Sequence, residues 1–313
     1  MSDNITTLKT NGYNSVWINI VNAQKEELSY LRKKYKFIDL DLRDTLAKNI
    51  AQRPKFYIRN NYSFLVLQFP IYNKKTRTVD AEEIDFFIGD GFIATCHKNN
   101  LPPLVELFNL CAADKFYREQ YLAGDNISLL HEIIVRLQEY CYPLMDHMSL
   151  DIENIESNIF NGREREMVKE ILLIKRNILN FRKIMEAHKD VLQKLSKAQI
   201  SYLLTDKMNG YYHDLIEHTK NIWDILNSQK EIIEALEDTN TSLISFKLND
   251  IMRTLTIFSV IVFPLTLLAA IFGMNTVGGM PFINNSNGFW SIIGIMLVGA
   301  SSLFVYFKKK RWI

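Results

Sequence analysis

Gly273-Met274-Asn275 follows the charge-free run Thr254–Phe272. A short loop then leads to a second such run, Phe289–Phe307. A backbone bend and an amide side chain at the exit of an apolar segment point to a port for ions. Stepping back from the tripeptide by three and four residues gives one continuous stripe. It holds five acids and no base in its first part: Asp214, Glu217, Asp224, Glu231 and Asp238. It then passes Asn249 and Met252 and carries Thr256, Ser259, Phe263 and Thr266 within the apolar run. Acids concentrate cations, amide and hydroxyl oxygens can receive them, and Met252 or Phe263 can close a path by excluding water.

These residues need a helix to align them, and the chain supplies one. From Tyr211 to Phe263 there is neither Gly nor Pro, and the pattern predicts a helix from about Tyr211 to Phe272. Each charge-free run is about 19 residues, roughly 28 Å as a helix, enough to cross a bilayer core. Pro264 removes a backbone hydrogen bond mid-span and frees a carbonyl. A second stripe (Ile222, Ile225, Ile232, Leu236, Leu243 and Phe246) is apolar and predicts a packing face. Two spans cannot enclose a pathway, so several copies must surround an axis, turning each stripe residue into a ring.

Upstream, the first 120 residues read as mixed α/β. Strands are predicted over Ser15–Ile20, Lys55–Arg59, Ser63–Phe69, Ile84–Ile88 and Phe92–Cys96, the last two flanking the turn Gly89-Asp90-Gly91. Helices are predicted over Ala23–Lys34 and Leu104–Ala113, then as long single pieces over Asn126–Phe160 and Arg163–Ser201. The division is therefore an α/β domain at 1–120, a helical domain and stalk at 121–252, and a membrane hairpin at 253–313. Within the hairpin the spans are about 253–272 and 289–307, joined by the loop 273–288.

Orientation follows from the basic residues. Lys308-Lys309-Lys310-Arg311 ends the chain, Lys247 and Arg253 precede the first span, and the loop has neither Lys nor Arg. The positive-inside rule puts both termini in the cytoplasm of a multi-pass cell-membrane protein. A net charge of +2 offers no broad field for nucleic acid. The polar N-terminus lacks the features of a secretory signal, and the three cysteines lack zinc-site spacing. No Ser/His/Asp or Cys/His constellation stands out, so no enzyme and no organic cofactor is expected.

Phe263-Pro264-Leu265-Thr266, Ala269 to Asn275, Met280-Pro281 and the tail Tyr306 to Ile313 resemble the CorA magnesium transporters; so does Arg53-Pro54-Lys55. The resemblance implies a funnel-shaped homopentamer with a cytosolic α/β domain, a long stalk helix lining the pore, and an outer ring of second spans in the lipid. Gly273, Met274 and Asn275 would form the selectivity filter. Asn249 would match a permeation asparagine, Thr266 a pore threonine, and Met252 and Leu255 a hydrophobic gate. Asp214 and Asp238 would match acidic stalk positions binding regulatory Mg2+, while Mg2+ (with Co2+ and Ni2+) is the cargo. Departures exist. Phe282 follows Pro281 where many members have Glu, and Asn73 falls where an acidic partner of Asp214 is expected, leaving Glu82, Glu83 or Asp85 as substitutes. Gly278-Gly279 is similar to the zinc-transporting branch, which makes zinc the nearest alternative cargo. A membrane-anchored scaffold or sensor is the rival from another class.

Overall fold

A computed structural model describes residues 4–10, 15–46, 52–123, 125–198, 208–274, 281, 286–310 and 312. The chain divides into two compact units, Met1–Asp238 and Thr239–Ile313.

The first unit is built on six strands: β1 Ile5–Lys9, β2 Val16–Val21, β3 Lys55–Ile58, β4 Tyr62–Asn73, β5 Thr78–Gly89 and β6 Phe92–His97. Their order is β1-β2-β6-β5-β4-β3. All neighbours are antiparallel except β2 and β6. The β5–β6 turn is as predicted, and Gly91 takes a left-handed φ of 72°. A Cβ on Gly89 would lie 2.2 Å from the Phe92 ring, so that position too needs glycine. Pro70 lacks a donor, but β3 pairs β4 only as far as Val66, so Pro70 sits where β4 has a free edge.

Helices α1 (Lys25–Tyr35) and α2 (Asp39–Thr45) cover one face of the sheet. There Leu28, Leu31 and Phe37 pack with Phe64, Val66 and Phe87. Phe37 stacks on Phe87 with ring centres 4.4 Å apart. The buried Asp41 carboxylate is held by Arg59 Nε (2.9 Å), Arg59 Nη2 (2.6 Å) and the Tyr62 hydroxyl (2.6 Å). This network pins α2 to the end of β4.

Helices α3 (Pro102–Ala113), α4 (Lys115–Leu122), α5 (Asn126–Glu139), α6 (Cys141–Phe160), α7 (Glu164–Met185) and α8 (His188–Ser196) complete the layer, with α7 against β4 and β5. Strand β1, α2 and α4 were not anticipated. The helix expected over Asn126–Phe160 is two, and Pro143 gives the reason. In the first turn of α6 its missing N–H costs nothing, whereas in an unbroken helix its ring would collide with the preceding turn. The helix expected from Arg163 also breaks, at Glu186-Ala187. Beyond the break, buried His188 points its Nε2 at the Gln68 carbonyl, 2.6 Å away.

Helix α9 runs over Met208–Phe272 and passes through Pro264 without a break. Its last part and α10 (Gly288–Lys309) make up the second unit. Both α9 and α10 are long and apolar enough to cross a membrane.

Candidate ion pathway and its acidic approach

The buried face of α9 in the first unit is a strict three-four alternation: Tyr212, Leu215, Thr219, Ile222, Leu226, Gln229, Ile233 and Leu236. Two polar members of it are tied to other helices. Gln138 Nε2 donates to the Leu215 carbonyl (3.1 Å) and Thr219 Oγ1 (2.8 Å). Gln229 Nε2 donates to the Met145 carbonyl and Ser149 Oγ, both at 2.8 Å. The apolar stripe read from the sequence is corrected here. Ile222 and Leu236 are buried, but Ile225, Ile232 and Phe246 are exposed. At about 100° per residue, those three lie roughly 60–120° round the helix from the buried stripe, between it and the acids. The acidic stripe itself is a solvent face, with Glu217, Asp224, Glu231 and Asp238 all exposed.

Asp214, half-buried, sits between two imidazoles. His131 Nε2, from α5, is 2.9 Å from Oδ2, and His218 Nε2 is 3.7 Å from Oδ1. His131 stacks on Tyr211 with ring centres 4.4 Å apart, and the Tyr142 hydroxyl lies 3.4 Å from His218 Nδ1. Sequence reasoning missed this cluster because its key member comes from another helix. His218 alone carried a signal, one turn beyond Asp214. Asn73 has a local task instead of a metal-binding one: its Oδ1 accepts from the N–H of Lys75 (3.1 Å) and Thr76 (3.4 Å) at the β4–β5 turn. Of its suggested substitutes, Glu82 meets Asn100 Nδ2 at 3.4 Å, and Glu83 and Asp85 open into a cavity that no α9 residue lines.

Further along α9, Asn249, Met252, Leu255, Thr256, Phe263 and Thr266 are exposed and Ser259 is half-buried. Their spacing puts them within an arc of about 120°. The hydroxyls bond back to their own helix: Thr256 Oγ1 donates to the Met252 carbonyl (2.8 Å), Ser259 to Leu255 (2.9 Å) and Thr266 to Val262 (2.9 Å). Each therefore spends its proton internally and presents only oxygen lone pairs outward. At the outer end Gly273 N–H donates to the Ala269 carbonyl (3.0 Å) and Met274 N–H to Ile271 (3.3 Å), closing the last turn. Met274 is exposed; Asn275 lies outside the described residues. The other faces of this segment are equally uncovered: Phe258 is 65% and Leu267 62% exposed, so lipid or neighbouring helices must surround it. Among the described residues no group of three or more His, Cys, Asp or Glu is arranged to hold a metal.

Residues 13–309 match the family model described as "CorA-like Mg2+ transporter protein". The cobalt/magnesium transport protein CorA of Thermotoga maritima is 27% identical over 299 residues, covering 95% of this chain and 83% of its own. The solved CorA magnesium transporter of Methanocaldococcus jannaschii superposes with a TM-score of 0.83 at 22% identity, covering 98% and 94% of the two chains. The cytoplasmic domain of ZntB from Vibrio parahaemolyticus is a more distant likeness, with a TM-score of 0.57 at 14% identity over 76% of this chain and 89% of that one.

Proposed function

Because this chain belongs to the CorA-like Mg2+ transporter family, we propose that copies of it assemble, as a pentamer, into a channel moving Mg2+ through a filter at Gly273-Met274-Asn275. It is a two-span membrane protein whose large N-terminal portion is cytoplasmic. The functional parts are the α/β domain at 1–120, the helical domain and stalk at 121–252, and the hairpin at 253–313.

One observation carries the reading. A single unbroken helix joins an exposed acidic face to an exposed face of Asn249, Thr256, Ser259 and Thr266, and stops at the tripeptide. Mg2+ dehydrates reluctantly. Oxygen lone pairs can accept hydrogen bonds from the water shell of a hydrated ion without stripping it. That is what the back-bonded hydroxyls offer, and what the Asn275 amide would add. Rings of Met252, Leu255 and Phe263 would close the same path by dewetting. The exposed flank of Ile225, Ile232 and Phe246 is apolar surface of the kind that adjacent copies would bury.

Gating follows from Asp214 and Asp238. When cytosolic Mg2+ is scarce, the acidic rings repel and the assembly loosens. Bound ions relieve the repulsion and favour closure, a shift needing about 5 kcal/mol of differential binding shared among weak sites. Co2+ and Ni2+ would follow Mg2+ through the oxygen-lined path. The testing experiment is metal-resolved flux into liposomes containing the purified protein, with and without a pH gradient. Mg2+ entry down its gradient is expected. Zinc flux without magnesium flux would reassign the cargo.

A further inference from the structure

A cavity of about 290 Å3 lies away from α9, at one end of the sheet. That is room for on the order of ten waters. Asn22, Gln24, Thr45, Glu83, Asp85 and Lys98 are among its walls. Asn22 turns the chain out of β2 with a left-handed φ of 51°, its N–H held by the His97 carbonyl at 2.9 Å. Glu83 and Asp85 are two apart on β5, so both side chains leave the same face of the sheet. Asp85 is 2% exposed, and its Oδ1 has no hydrogen-bond partner. A buried carboxylate oxygen left unpaired is costly unless something fills its place.

The donors present decide what that could be. His97 has no free ring nitrogen: Nε2 meets Asn19 Oδ1 at 2.9 Å and Nδ1 accepts from the Asn99 N–H at 3.0 Å. Cys96 is fully enclosed, and burial pushes its thiol well above the usual range, so it offers no thiolate. Only oxygens remain, and two carboxylates with water completing the shell are a common magnesium set, whereas softer metals favour nitrogen and sulfur. Burial first, and the Glu83 charge second, raise the Asp85 carboxyl, while burial raises Glu83. The nearby cations are Lys98 in the wall and Lys55, which is bound to Asp44 at 2.5 Å. Neither is hydrogen-bonded to Asp85 Oδ1.

We propose that Glu83 and Asp85 bind a hydrated divalent cation of the magnesium class inside each subunit, separately from the conduction path and from Asp214. The ion displaces the proton held between the two carboxyls, which leaves to solvent. This assignment goes beyond transport and does not depend on it.

The test is calorimetric titration of the full-length protein in detergent with MgCl2, alongside Asp85→Asn, Glu83→Gln and Asp214→Asn. The expected result is that Asp85→Asn and Glu83→Gln each bind one Mg2+ fewer per chain, while Asp214→Asn retains that site. Mg2+ should also raise the melting temperature of the wild type more than that of Asp85→Asn. Wild-type stoichiometry in both β5 variants would overturn the proposal, and so would an equal Mg2+-induced shift in melting temperature. Circular dichroism and particle size check each variant's fold, and Glu83→Gln decides the matter if Asp85→Asn fails to assemble.

Discussion

Asp214 shares its carboxylate with His131 and His218, so a divalent ion must compete with both imidazoles for it. Asp214→Lys should make transport less sensitive to internal Mg2+, measured as current or flux against cytosolic Mg2+. Inhibition identical to the wild type would remove Asp214 from the sensing role. At the outer mouth, Asn275→Ala should abolish Mg2+ uptake in cells lacking other transporters, with expression and assembly unchanged. Retained uptake would favour the anchor reading. Acid sensitivity has its own residue-level source. Burial lowers His188 and His97 to about 4, against 6.5 when unfolded. Between those values the unfolded chain binds more protons, so their contribution is complete above pH 6.5 and is lost as pH falls toward 4. The raised carboxyls Glu83 and Asp85 act in the opposite sense, so a variant is needed to isolate the histidine effect. His188→Gln keeps a donor for the Gln68 carbonyl, and its melting temperature should fall less from pH 7 to pH 5 than the wild type's.

Helix α9 joins a conventional core face to a face with no partner in its own chain. Ile233 is fully buried among the three-four positions, and Ile233→Ala should cost about 2–5 kcal/mol in denaturant melts of the full chain. Ile232, next to it, is 46% exposed, and Ile232→Ala should leave the subunit's fold stability nearly unchanged while weakening association. The helix was legible because Gly and Pro are absent over its soluble length and because charge vanishes over its membrane length. Its packing phase was less legible, since Ile225 and Ile232 keep the same seven-residue repeat as the buried Ile222 and Gln229. Periodicity alone cannot distinguish two apolar stripes 60–80° apart. Elsewhere Pro143 was the available mark of a helix break. Strand β1 gave little, because ITTLK is short and its pairing with β2 is a tertiary event.

For the whole molecule, uncovered apolar side chains set the requirement for an environment. Leu255 is 59% and Phe263 71% exposed along a segment without a charge from Thr254 on. Purified particles are expected to be ring-shaped homo-oligomers with a central axis lined by the α9 polar face. A monomer in lipid, resolved by light scattering or imaging, would dismantle the channel reading. The sequence by itself determined the membrane hairpin, its orientation and the continuous polar stripe, because these depend only on hydropathy, charge and local helical spacing. It also carried the family's signature residues, which lie close together along the chain. Tertiary structure alone decided which stripe of α9 is buried, that His131 reaches Asp214, and that Asp85 faces a cavity with an unpaired oxygen. Each of these joins residues separated by tens of positions along the chain, and no local pattern encodes where such partners meet.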